Sequence, residues 1–487
     1  MTTVENTISF LRAEDFLSEQ LVNYYIPFGI DESIVKRIID GSQILLVGSR
    51  GTGKTMLLRM AEIRLSEQFS ERKILPLFVS FNQSRLIDTK YIRQWMLAKV
   101  LYHLQRKLQK MGVVSSASPL IHEYLGFNVK EDQFESKLAQ FILLLEDSWK
   151  RGSGLNVDST EIIKIFGERI EHIDILNEID IFKALAEEIC DTFGYRRINI
   201  LFDEAAHNFI PAEQREFFGL FRDMRSPFLC GVAAVYPGLT SYGTTFQLFH
   251  DATPIRVERN IDSPDYLESM EKIIKIRIDA PTWNKIKSHK QEFHALIYAA
   301  SGNPRLLLKS LLMATDDLRT FKVKRFEDTI RDFYRSDIWN EHTRLSEIYK
   351  GHKPLIDWGR KFIEGSVLPE TKKKNDDSNR RKDISRTIYF VVHKDAPQAV
   401  KSALSILEYT GIVSLINEGV KMTRSEMGNR YALNFGCVLA QEINPISKSQ
   451  ELLNGLDIKR FTEYGFRHPS LDRIDLSCSL ETDPNLN

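Results

Sequence analysis

Eight consecutive residues, Gly48-Ser-Arg-Gly-Thr-Gly53-Lys54-Thr55, match G-x-x-x-x-G-K-[ST] in full. A loop that wraps a polyphosphate must turn successive backbone N–H groups inward, and glycine permits that path without a Cβ clash. Lys54 has the reach to meet β- and γ-phosphates, and the Thr55 hydroxyl is of the type that ligates Mg²⁺. The candidate ATP-binding set is therefore Gly48, Ser49, Arg50, Gly51, Thr52, Gly53, Lys54, Thr55 and Met56. A ligand-free glycine turn is the weaker explanation, because both flanks also fit: Gln43-Ile-Leu-Leu-Val47 reads as a buried strand and Met56–Glu62 as a helix.

A metal at Thr55 also needs a carboxylate. Ile198-Asn-Ile-Leu-Phe202-Asp203-Glu204 supplies an apolar strand ending in two acids, which resembles a Walker B element. Asp203 is the expected Mg²⁺ residue, through water, and Glu204 the expected general base that polarises the attacking water.

These residues need a sheet to hold them. Lys73–Ser80, Phe228–Tyr236 and Pro254–Val257 read as further strands, and 211–225 has helical spacing in Phe217, Leu220 and Phe221. Strands alternating with helices predict an α/β fold, a parallel doubly wound sheet. Far more chain separates Lys54 from Asp203 than one crossover requires, so about 111–178 reads as a helical insertion, with Leu138, Ile142 and Leu145 on one stripe and Ile162, Ile165 and Ile170 on another. Residues from 264 to 333 read as all-helical. Within them Ser301-Gly-Asn-Pro-Arg305 opens a helix, a pattern that ordinary capping by Asn303 and Pro304 would also produce.

Composition narrows the partners. Lys+Arg and Asp+Glu both number 66 in 487 residues, so any nucleic-acid surface must be a local patch. Four dispersed cysteines without a CxxC pair predict packing in a reducing compartment. The first residues lack a signal-peptide pattern and no apolar run is long enough to span a bilayer, so the expected location is cytoplasmic.

With "GSRGTGKT", "ILFDE" and "GNPR" together, the chain resembles the AAA+ P-loop ATPases, above all the initiator branch related to origin-recognition ATPases. The resemblance implies that Arg305 is the lid arginine that touches the γ-phosphate, and so a third catalytic residue beside Glu204 and Lys54. It also implies a nucleotide-dependent oligomer and a protein partner. Two features depart from the family pattern. The strand after Asp203-Glu204 ends Val235-Tyr236-Pro237, leaving Tyr236, or the later Thr240 and Ser241, at the sensor-1 place. No arginine lies in 239–253, so Arg222 and Arg225 are the nearest candidates for an arginine finger.

The C-terminal region reads as helices followed by a hairpin. Val400, Leu404 and Leu407 share one helical face, Gly411 ends that helix, and strands 412–416 and 430–435 meet at a turn over 417–419. This looks like a winged helix, the module that follows the lid in initiator ATPases. Lys394, Lys401, Lys421, Arg424 and Arg430 could meet double-stranded DNA, although winged helices also bind proteins. The lysines 372–374 and the basic residues 380–382 bracket what reads as a solvated connector. The expected organisation is an AAA+ unit over 1–262, a helical lid over 263–344, a winged helix over 345–445 and a loose tail over 446–487. Two functions fit: a Mg²⁺-dependent ATPase switch that engages DNA, or a nucleotide-gated scaffold that recruits a protein.

Overall fold

The computed structural model describes residues 7–17, 19–81, 91–112, 137–150, 164–165, 178–205, 211–380 and 383–471. Five strands, β1 (Ile44–Val47), β2 (Ile74–Ser80), β3 (Arg197–Asp203), β4 (Leu229–Val235) and β5 (Thr253–Arg256), form one sheet in the order β2-β3-β4-β1-β5. Every pairing is parallel. The strands are short apolar runs because helices cover both faces, and β4 is buried at every position. On one face α1 (Gly29–Asp40) and α2 (Lys54–Glu67) pack Ile34, Ile38, Leu57 and Leu58 against Leu46 and Val232. On the other lie α3 (Ile92–Lys110), α4 (Lys137–Lys150), α5 (Ile179–Phe193) and α6 (Pro211–Asp223), around Trp95, Phe202 and Phe217.

The order puts chemistry at one edge. Val47 is in register with Val235, and Ser80 with Asp203, so the carboxyl ends of β1, β3 and β4 open on the same side. Ligands of open α/β sheets bind there, where connections diverge to opposite faces. Of the expected insertion, Leu138, Ile142 and Leu145 on α4 are buried against the core; Ile162 and Ile170 lie outside the described residues.

Five helices follow: α7 (Tyr266–Lys275), α8 (Ala280–Ser288), α9 (Lys290–Ala299), α10 (Pro304–Thr315) and α11 (Val323–Asp332). Next come α12 (Ile338–Ile348), α13 (Lys353–Phe362) and α14 (Leu368–Arg380). Strands β6 (Tyr389–His393), β7 (Val413–Lys421), β8 (Met427–Leu433) and β9 (Phe461–Tyr464) make a second sheet, ordered β7-β8-β6-β9, with α15 (Gln398–Thr410) inserted between β6 and β7.

Three sequence expectations change here. Residues 417–419 are no turn: β7 runs on to Lys421 with irregular pairing at Asn417, and Gly419, at φ 67°, absorbs the extra backbone. The connector with lysines 372–374 is helix α14, because its polar residues have partners. Asn375 exchanges two 2.9 Å hydrogen bonds with the Thr387 backbone, and Lys372 donates to the Gln441 carbonyl at 2.6 Å. The region from 446 is no loose tail as far as Leu471. Helix α17 (Pro445–Asn454), which follows the short α16 (Phe435–Leu439), packs on α9, and β9 pairs in parallel with β6. Buried Leu452, Tyr464 and Leu471 anchor it.

Candidate functional site

The loop between β1 and α2 takes its path from two glycines, Gly51 at φ 92° and Gly53 at φ 91°. A Cβ on Gly51 would come within 2.6 Å of Asn303 Oδ1 and 2.9 Å of Arg305 Cβ, so glycine is required as much by the approach of α10 as by the turn. Asn303 fixes that approach. Its Oδ1 caps α10 by accepting from the Arg305 and Leu306 N–H groups at 3.1 and 3.3 Å, while its Nδ2 donates to the Arg50 carbonyl at 2.8 Å. The capping chemistry and the placing of Arg305 at the loop are thus one device.

Lys54 opens α2 with its ammonium folded back, donating to the Gly48 and Ser49 carbonyls at 2.7 and 2.9 Å. Nζ lies 3.9 Å from the centre of the Tyr236 ring at the end of β4. Burial lowers its pKa to about 7, against the opposing pull of Asp203. Asp203 ends β3 and faces the Thr55 hydroxyl; burial, then the charge of Glu204, raises its pKa to about 7. Glu204 stands at φ 62°, a left-handed conformation unusual for glutamate. Its carboxyl is raised by burial and then by Glu14, while Arg50 and Lys54 pull it down. Carboxylate oxygens of Glu14, Asp203 and Glu204 all lie within 4.8 Å of one another.

A cavity of about 330 Å³ opens over this edge, lined among others by Arg50, Gly51, Gly53, Lys54, Thr55, Met56, Glu204, Tyr236 and Arg305. Part of its wall is aromatic, with Phe10, Phe16, Tyr24 and Phe28, and the Arg277 guanidinium stands 5.6 and 5.5 Å from the Phe16 and Tyr24 ring centres. Below the loop, Arg259 pairs with the buried Asp31 at 3.0 Å and donates to the Thr52 carbonyl, tying α1 to the loop. The Nε atoms of Arg259, Arg277 and Arg305 are buried without a partner.

These residues fit a magnesium-bound nucleotide. The donors are a hydroxyl and carboxylates, the hard oxygen set Mg²⁺ takes. Arg259, Arg277 and Arg305 line the same cavity, and each keeps one guanidinium nitrogen without a partner, which suits a cavity that takes an anion.

The sequence itself decides the family. A model of the ORC-CDC6-like family matches residues 6–396. The chain belongs to the ORC-CDC6-like family. It is thus an origin-recognition-like protein with the α/β AAA+ fold, helical parts and a C-terminal region that contains a sheet. Among solved structures one similar chain is that of "Structure of the Aeropyrum Pernix ORC2 protein (ADPNP-ADP complexes)", 12% identical, with 88% of this chain and 96% of that chain covered and a TM-score of 0.38. That likeness is too distant to carry correspondences between residues. A comparison with curated proteins finds no match.

Within this ORC-CDC6-like chain, Gly48, Ser49 and Thr52 face away from the cavity, toward a small crevice shared with the C-terminal region. Thr52 Oγ1 donates to the Ser49 carbonyl at 3.0 Å, which stiffens the loop from outside. Tyr236 follows directly on β4 and lines the cavity. Thr240 serves it indirectly, through hydrogen bonds of its hydroxyl to the Tyr236 backbone, and Ser241 N–H donates to Gln214. Arg222 donates to the Thr245 carbonyl at 2.8 Å and pairs with Asp223, whereas Arg225 is exposed; neither lines the cavity. No described helix is long and apolar enough to cross a membrane.

Sequence reasoning missed Glu14, Arg259, Arg277 and the aromatic part of the wall. The aromatic spacing in 10–28 was a usable signal; Glu14 gave none, since its neighbours at Asp203 and Glu204 are almost two hundred positions away.

The cations of the C-terminal region differ in availability. Lys394 and Lys421 are exposed, and Lys401 is half-buried on α15. Arg430 donates to Asn417 at 3.2 Å and lies 5.1 Å from the Phe461 ring centre, so it is folded onto its own sheet. The Arg424 side chain lies outside the described residues.

Proposed function

We propose that the chain is a Mg²⁺-dependent ATPase that works as a nucleotide-driven switch in replication initiation or a related DNA transaction. The observation that carries this reading is the convergence of Lys54, Thr55, Glu204 and Arg305 on one cavity at the carboxyl edge of the parallel sheet, with the buried Asp203 behind Thr55 and Glu204. Loop amides and Lys54 hold the β- and γ-phosphates. Thr55 and Asp203 hold the magnesium ion, which when bound would offset phosphate charge. Glu204 orients a water and takes its proton, and burial, which raises its pKa, makes it a stronger base than a solvated carboxylate. Arg305, carried on α10, reports the γ-phosphate to the lid. The AAA+ unit covers 1–262; because α12 runs unbroken across 344–345, the boundary between lid and C-terminal module moves from 344 to the end of α12 at Ile348, and the module extends past 445 through 471.

DNA contact falls to the β7–β8 hairpin and the residues near it, through Lys421, Arg424 and Lys394, with Lys401 secondary. Burial of α15 bears on the alternative. Val400, Ala403, Leu404, Ile406, Leu407, Glu408 and Tyr409 are all buried. In this arrangement α15 cannot enter a major groove, which supports a second reading in which the C-terminal region recruits a protein. The Glu204→Gln protein tests both: it should bind ATP without turning it over, and salt-sensitive DNA binding should appear with ATP. Unaltered hydrolysis removes the proposed base, and no DNA binding at low salt leaves the protein-recruiting reading.

A further inference from the structure

The end of α15 rests on the nucleotide loop itself. The Arg50 N–H donates to the Tyr409 carbonyl at 3.1 Å, while the Arg50 carbonyl accepts from Asn303. One residue of the loop is therefore held between the lid and the C-terminal region. The Tyr409 ring, buried, meets the Tyr236 ring edge-on with centres 5.4 Å apart, and the Tyr236 ring carries the Lys54 ammonium at 3.9 Å. Gly238, two residues after Tyr236, lies against the Ser405–Ile406 backbone with no room for a methyl group. Arg256, at the end of β5, pairs with buried Glu408. The loop, β4 and β5 thus all touch the last two turns of α15.

An ammonium has three protons. In this arrangement two go to the Gly48 and Ser49 carbonyls and the remaining side of Lys54 faces the Tyr236 ring. An incoming phosphate competes with the ring first, because a ring face holds a cation less firmly than a hydrogen-bonded oxygen does. Tyr236 then loses its cation, and close packing passes its repositioning to Tyr409. We propose that the Tyr236–Tyr409 contact carries the occupancy of the nucleotide loop to helix Gln398–Thr410, so that filling the loop loosens the C-terminal region from the nucleotide sheet. This rests on the reading that a triphosphate occupies the loop. It makes Tyr236 a positioning residue for Lys54 and Tyr409 its relay. It also gives the buried α15 a route to exposure.

Hydrogen exchange over 403–412 in the full-length Glu204→Gln protein, with and without Mg²⁺-ATP, tests this, with ATP binding followed separately by calorimetry. Exchange should quicken about tenfold on binding. Tyr409→Leu should bind ATP within about threefold yet lose that response, and Tyr409→Phe, which keeps the ring, should restore it. Tyr236→Leu should lose it too and, in the protein that keeps Glu204, lower kcat more than it alters KM, with Tyr236→Phe again restoring both. ATP binding with unchanged or slower exchange overturns the relay while leaving the nucleotide site standing. A response retained in both leucine variants overturns it as well. Absence of ATP binding removes the nucleotide reading and the relay with it.

Discussion

The two sheets of this molecule treat charge in opposite ways. The five-stranded sheet is covered on both faces, so Lys54 and Asp203 at its carboxyl edge are almost fully withdrawn from water. Their pKa values move toward each other, each to about 7, with burial as the first cause of both. Around the four-stranded sheet, by contrast, several basic residues serve the fold. Lys374 donates to the Phe461 carbonyl, Arg460 pairs with Asp383 at 3.0 Å, and Arg386 pairs with Glu451 at 3.1 Å. A titratable group becomes chemically poised where desolvation cannot be avoided. A count of cations along the sequence overstates how many are free to meet a phosphate backbone.

Substitutions at the two sheets should therefore differ in kind. Glu204→Gln should slow hydrolysis by about two to four orders of magnitude with ATP affinity preserved, read by single-turnover assay. Lys54→Ala should weaken ATP binding by about a hundredfold or more in calorimetry, since it removes a charge-assisted donor that the loop already holds in place. The pH profile sharpens the contrast. Asp203 must be ionised to hold a metal, so affinity falls below the value near 7 to which burial raises it. Lys54 must be charged, so affinity falls again above the value near 7 to which burial lowers it. Mg²⁺-ATP affinity should thus peak close to neutrality, and Asp203→Asn should remove the acid limb. Arg305→Ala should cost about tenfold in the ATP-dependent protection of the lid from proteolysis. The smallest effect belongs to the second sheet: Lys421→Ala should lower the salt slope of DNA binding by about one, uniformly across sequences. A large, sequence-selective loss there would contradict the contrast between the sheets.

Much of the nucleotide edge was legible beforehand because its signals are local. Glycine at 51 and 53, an apolar run before them, a helix after them and two acids closing another apolar run are each encoded within about ten residues. The parallel sheet follows from the same runs, since only strands buried on both faces can be apolar throughout. The C-terminal hairpin was legible in existence but not in register: Asn417-Glu-Gly419 has turn composition, and pairing with β8 overrides it. Helix α14 escaped notice because its lysines and aspartates look solvated until Asn375 and Lys372 find acceptors on other elements.

The sequence by itself determined the strand, glycine loop and helix from β1 to α2, for backbone conformation there depends on neighbours in the chain. Tertiary structure alone decided that Glu14 stands beside Asp203 and Glu204, that Tyr236 carries Lys54, that Tyr409 leans on Arg50, and that residues 446–471 complete a sheet. Such contacts join segments tens to hundreds of residues apart. Their specificity lies in shape and burial, which no short stretch of sequence contains.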